Sequence, residues 1–269
     1  MNFDELCKFG RQYYEQGNYE IAAEMLDQAL ALQPNDIDTI TGKAFCLMKM
    51  QQYKGAIRLF DDLIEVYPLD LRALFQKGNC LLELEEYEEA ITCFDEVIEL
   101  CKRDARPYHQ KGLCHFYRQE YEIARNCFEI AIKKDENEVF SVVFFALSSF
   151  WLDHNSDGLK ILKKLCDKYP IETESEYRGI HYELALCLLV IGKYEESLKI
   201  CDELLAKDFN ISLINYIKGI NLQDTKRYKE AITCFKKVNT ATDYDDAQSR
   251  IKQCKNELKI GAKNANTNI

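Results

Sequence analysis

An all-α protein built from repeated helix pairs is what this sequence predicts, and three observations carry that reading. Small, tyrosine, alanine and large apolar residues recur in one register with a period of 34 residues. Each period holds two stretches with apolar residues at helical spacing. The 269 residues include only 4 prolines and 11 glycines, too few for proline-rich linkers or a turn-dense β-barrel.

The repeats begin at 3, 37, 71, 105 and 139 and then, after an insertion at 173–177, at 178 and 212. The first, 3–36, sets Gly10 nine residues before Tyr19, with Ala22, Leu26 and a closing Pro34 behind it. The second, 37–70, closes near Pro68. In the third, 71–104, the stretch LRALFQKGNCLLEL carries Leu74, Leu81 and Leu84 around the small Gly78. The stretch YEEAITCFDEVIEL then carries Ala90, Ile91, Phe94, Val97 and Ile98, the stripe of an amphipathic helix. Gly78 and Ala90 stand where the two helices must approach closely, and Tyr87 opens the second helix over that contact. The fourth repeat, 105–138, restates the set as Gly112, Tyr121, Ala124 and Phe128, and the seventh, 212–245, as Gly219, Tyr228, Ala231 and Phe235. The fifth, 139–172, departs: Asn155 and Gly158 replace the expected Tyr and Ala, and Pro170 and the insertion follow. Either a soft joint or a plain longer loop is expected before the sixth repeat, 178–211. Residues 246–260 place Ala247, Ile251, Cys254 and Leu258 on one face and Arg250, Lys252, Lys255 and Lys259 on the other, as a helix capping the array. The polar residues 261–269 are expected to be a disordered tail.

This register resembles the tetratricopeptide repeat family over residues 3–245. The first repeat matches best, at Leu6, Gly10, Tyr13, Tyr19, Ala22, Leu26, Ala29 and Pro34. The resemblance implies a right-handed α-solenoid superhelix of antiparallel helix pairs, with a concave groove lined by the first helix of each pair. It also implies a non-catalytic scaffold or adaptor that holds a partner protein's peptide or helix there.

Composition narrows the alternatives. The chain has 35 basic and 45 acidic side chains, a net charge of −10, which disfavours a nucleic-acid backbone as partner. It lacks the apolar run of about 18–20 residues that a membrane span needs. Its opening, MNFDELCKFG, is acidic where a secretory leader is basic, so a cytoplasmic location is expected. Cys46, Cys80, Cys114 and Cys187 share one repeat position and Cys93, Cys127 and Cys234 another, which argues for packing. There is no CxxC, and neither the cysteines nor His109, His115, His154 and His181 have zinc spacing. No phosphate-cradling, dinucleotide or nucleophile-elbow motif occurs. No metal, cofactor or catalytic residue is therefore expected.

In the family that the chain resembles, the groove is lined by the second, fifth, ninth, twelfth and thirteenth positions of each repeat. Repeats 1–3 place mixed polar residues there, and repeats 4–6 apolar ones. The candidate partner-binding residues are His109, Phe116, Tyr117, Phe140, Val143, Leu147, Phe150, Trp151, Tyr182, Leu186 and Leu189. The stretch VFSVVFFALSSFWL (139–152) is apolar almost all round, and its groove-facing side is expected to expose roughly 500 Å² with its neighbours. An apolar peptide or amphipathic helix is the expected occupant. Self-association through the same surface, as a homodimer, is one alternative, and a regulatory subunit of an enzyme is another. Neighbouring side chains already covering the surface is a third possibility. Two known family modes are missing: no three consecutive repeats supply the two-carboxylate clamp, and only Asn79 occupies the ninth position of an asparagine ladder. Residues 1–104 carry 10 basic and 21 acidic side chains, net −11, either a steering field or a solvated face.

Overall fold

The computed structural model describes residues 1–135, 139–153, 156–172, 177–238 and 246–267, with side chains to residue 260 apart from Asp153. The described residues form fifteen α-helices and no strand. The chain divides into two compact units, Met1–Ser148 and Ser149–Ile269.

In the first unit the helices are α1 (Phe3–Glu15), α2 (Tyr19–Leu32), α3 (Ile37–Lys49), α4 (Tyr53–Val66), α5 (Leu71–Glu83), α6 (Tyr87–Leu100), α7 (Arg106–Tyr117) and α8 (Tyr121–Lys134). The helix α9 (Val139–Asp153) begins in it. Each helix from α1 to α7 packs on the next, and α1 also touches α3 while α5 touches α7. First helices therefore lie beside first helices. The second unit contains α10 (Ser156–Lys168), α11 (Arg178–Val190), α12 (Tyr194–Leu205), α13 (Ile211–Asp224), α14 (Tyr228–Phe235) and α15 (Ala247–Thr267), each packed on the next.

Six turns inside pairs, among the described residues, have one design. The residue two past the end of the first helix is left-handed: Gly17 (φ 79°), Gln51 (58°), Glu85 (61°), Gln119 (62°), Gly192 (76°) and Lys226 (61°). The next amide reaches back five residues, as in Asn18 N–H to Tyr13 O (2.9 Å) and Glu86 N–H to Leu81 O (2.9 Å). This closes the orphan carbonyls of the first helix and starts the second without a break. The first helix of each of the first three pairs is capped by an acidic or amide side chain: Asn2 on Glu5 N–H, Asp36 on Thr39 N–H, and Asp70 on Arg72 and Ala73 N–H.

Inside each pair a small residue faces a large one. A Cβ placed on Gly78, Gly112 or Gly219 would sit 2.7, 2.7 and 2.6 Å from the rings of Phe94, Phe128 and Phe235, all fully buried. Where the ring is replaced by Cys201, the facing residue is Ala185 instead. Successive pairs are also tied by a periodic ion pair that the sequence reading missed. Lys43 meets Asp27 (2.5 Å), Lys77 meets Asp61 (2.6 Å), Lys111 meets Asp95 (2.6 Å), and Lys218 meets Asp202. The signal was present as Asp and Lys at two fixed repeat positions, 16 residues apart across a repeat boundary.

Two expectations concern the ends of elements. The helix α15 continues through residues 261–267, where a disordered tail was expected, because GAKNANT contains no proline and only one glycine to stop it. The insertion at 173–177 falls, except for Tyr177, outside the described residues, as do His154 and Asn155.

Candidate protein-interaction groove

In the first unit, the first helices form a cleft of ≈ 830 Å³. Tyr14 of α1, Phe45 and Met48 of α3, Asn79 and Leu82 of α5, and Gln110, Leu113 and Tyr117 of α7 line it. These side chains come from four consecutive repeats, because one face of each first helix is left over after its second helix and the neighbouring pairs are packed. The cleft mixes aromatic rings with amides and charge. Tyr53 Oη donates to Glu83 Oε2 (3.4 Å), and Tyr87 and Tyr117 stack with ring centroids 6.2 Å apart. Asn79 Nδ2 donates to Gln76 Oε1 (3.1 Å). The other amide oxygens, Asn79 Oδ1 and Gln110 Oε1, are buried and accept no hydrogen bond.

A smaller hollow of ≈ 320 Å³ adjoins this cleft and shares Tyr14 and Phe45 with it. Gly42 and Leu26 are among its lining, and a Cβ on Gly42 would meet only Leu26, at 3.4 Å. On the other side, sharing Glu85 and Tyr87, lies a third hollow of ≈ 310 Å³ rimmed by Glu86, Glu88, Glu89 and Arg118. Arg118 is held between Glu88 (3.3 Å) and Glu120 (3.0 Å). The Glu120 carboxyl is itself held below its ordinary range, first by its hydrogen bond to His115.

The apolar residues expected to form the exposed site are distributed otherwise. Val143, Leu147 and Phe150 are buried, so the expected exposed face of 139–152 is corrected at those three positions. A helix apolar on every side is covered on most of them, and the groove register alone did not show how far that covering extends. Phe144, which the reading passed over, sits among the rings of His109, Phe116 and Phe128 at centroid distances of 5.2 to 6.0 Å. His109 is held inward by Ser141 Oγ, 2.8 Å from Nδ1. Phe116 is half-buried against Tyr121 and Phe144. In the second unit Trp151 is half-buried against Phe150, and Tyr182, Leu186 and Leu189 pack on the core around Ala185, Leu204 and Ile214. Of the eleven candidates, Tyr117 and Phe140 are the exposed ones, each at 52%.

Ten of the twelve cysteines are buried and all twelve are free thiols. Burial pushes Cys80, Cys114 and Cys187 up to about 12 and Cys46 up to about 11, so the reactive thiolate is suppressed at that repeat position. In the second unit, burial also pushes the Glu183 carboxyl up to about 7. Among the described residues no three His, Cys, Asp or Glu side chains are arranged to hold a metal ion, and no helix is long and apolar enough to cross a membrane.

Comparison with known proteins agrees with this architecture. The family described as anaphase-promoting complex, cyclosome, subunit 3 matches residues 15–97. No curated protein matches the chain in sequence. A tetratricopeptide repeat protein from Parabacteroides merdae superposes with a TM-score of 0.79 over 94% of this chain and 98% of its own, at 15% identity. MamA, from residue 41 to its end, of Desulfovibrio magneticus RS-1 gives 0.59 over 64% of this chain and 97% of its own, at 19% identity. Yeast Tom70 gives 0.67 over 90% of this chain and 52% of its own, at 18% identity. With the 34-residue register and the stacked helix pairs, these likenesses show that the chain has the tetratricopeptide-repeat fold, an α-solenoid of antiparallel helix pairs.

Proposed function

We propose that this chain is a non-catalytic scaffold that holds a segment of a partner protein against the first helices of residues 1–117. The observation that carries the reading is the ≈ 830 Å³ cleft lined from four consecutive repeats. A concave surface of that size with aromatic rings and a few placed polar groups is suited to a ligand, and its breadth suits a polypeptide. The burial of Val143, Leu147 and Phe150 moves the proposed site away from the apolar fifth repeat and toward the N-terminal repeats. Free, buried cysteines suit a reducing compartment such as the cytoplasm.

Site-specific photo-crosslinking tests this. A photoreactive residue at Met48 or Leu82, inside the cleft, is expected to trap a partner in extracts of the expressing cells. The same residue at Ile21, exposed on the second helix of its pair, is expected to trap none. Crosslinks from Ile21 alone would remove the groove from the mechanism.

A further inference from the structure

Resting on that groove reading, we infer that the occupant is an extended, lysine- and arginine-rich segment of a partner protein. Three observations converge on this chemistry. The first is charge. The cleft and its two adjoining hollows are lined by seven carboxylates and three cations. Glu85, Glu86 and Glu89 are exposed and have no ion-pair partner among the described residues. Two of the seven are paired on this face, Asp38 with Arg72 (3.5 Å) and Glu88 with Arg118 (3.3 Å), while Lys43, Lys77 and Lys111 sit in the bridges between repeats.

The second is the hydrogen-bond inventory. Asn79 Oδ1 and Gln110 Oε1 line the cleft as buried acceptors without donors. A buried acceptor left unmade is costly, so a ligand that brings N–H groups is favoured over one that does not. A helix spends its backbone N–H groups on itself, whereas an extended segment offers them, and lysine and arginine add donors of their own. The third is surface character. The stacked Tyr87 and Tyr117 present ring faces beside Glu85, an arrangement that receives a guanidinium or ammonium on its apolar side as well as its charged one.

The chain supplies its own controls for a test. Glu83 and Glu85 occupy repeat positions where Lys49 and Lys226 stand in other repeats, so Glu83→Lys with Glu85→Lys installs residues that those positions already accept, including the left-handed φ at 85. Random twelve-residue peptides displayed on phage are selected on the full chain. The selected peptides, labelled with fluorescein, are then titrated into the wild type, the double variant and Gln110→Leu. The expected result is enrichment in Lys and Arg and affinity that falls steeply with salt. Binding to the double variant should be at least about tenfold weaker, and loss of one acceptor should cost about threefold to tenfold. Selection of neutral or acidic peptides, or of none, overturns the proposal, as does equal binding by the double variant. If such peptides are absent while Met48 still traps a partner, the groove stands and its cationic occupant falls. If Met48 traps nothing, the groove itself falls.

Discussion

Gly78 is conserved in kind within the chain for a reason that one distance states: a methyl group there would lie 2.7 Å from the Phe94 ring. The ring is fully buried and cannot swing away. Gly78→Ala therefore trades a helix-propensity gain of about 1 kcal/mol against overpacking of about 1–3 kcal/mol. The expected outcome is a net destabilisation of about 1 kcal/mol, read as a lower urea midpoint. Glu183 shows the opposite problem, a charge in the wrong place. Its carboxyl is pushed from an ordinary 4.5 up to about 7 by burial, with no hydrogen-bond partner among the described residues. The folded state then holds a proton that the unfolded state has released between those two values. Stability contributed by this group accordingly falls as pH rises from 4.5 to about 7 and is level above that. Glu183→Gln should raise stability at pH 8 by up to about 3 kcal/mol and should flatten the slope between pH 5 and 7 in denaturant titrations.

The helix pair is a unit whose parts are all local. The left-handed turn residue and the small–large contact lie within one repeat, the side-chain cap sits at the residue just before it, and each is restated at the same position in others. What joins one pair to the next is apolar packing plus the Lys–Asp bridge. For Lys77, burial pulls the pKa down, but its hydrogen bond and charge pairing with Asp61 outweigh this and leave it raised. That contribution is present below the ordinary lysine value of 10.5 and is lost as pH climbs through the raised one. Both partners remain partly solvated, at 28% and 49% side-chain exposure. A double-mutant cycle with Lys77→Met and Asp61→Asn is therefore expected to give a coupling of about 0.5 kcal/mol at pH 7, vanishing in strong alkali.

Across the array each pair is stabilised by its neighbours and by little else, so an end must be covered. In the second unit α15 lays Ala247, Ile251 and Cys254 on Leu222, Ala231, Phe235 and Val238. Truncation before residue 246 uncovers that cluster. Amides of α13 and α14 should then lose most of their hydrogen-exchange protection, while those of α1 to α8 keep theirs, the behaviour of a chain whose stability is a sum of nearest-neighbour terms. Equal loss throughout would show a cooperative unit larger than adjacent pairs.

The repeat period, the helix pairs and the packing role of the cysteines were all legible in the residues, because each depends on spacing within about 34 positions of chain. The periodic Lys–Asp bridge and the side-chain caps were legible in the same sense and were overlooked. The site was not legible. Which face of an all-apolar helix remains open depends on how many neighbours press against it, and the register names the face without counting them. Packing therefore buried Val143, Leu147 and Phe150, left Tyr117 and Phe140 at the surface, and opened the ≈ 830 Å³ cleft among polar and aromatic residues of repeats whose composition had drawn less notice. Local periodicity sets which residues turn inward within a pair, and the stacking of pairs sets which surface is left for a partner.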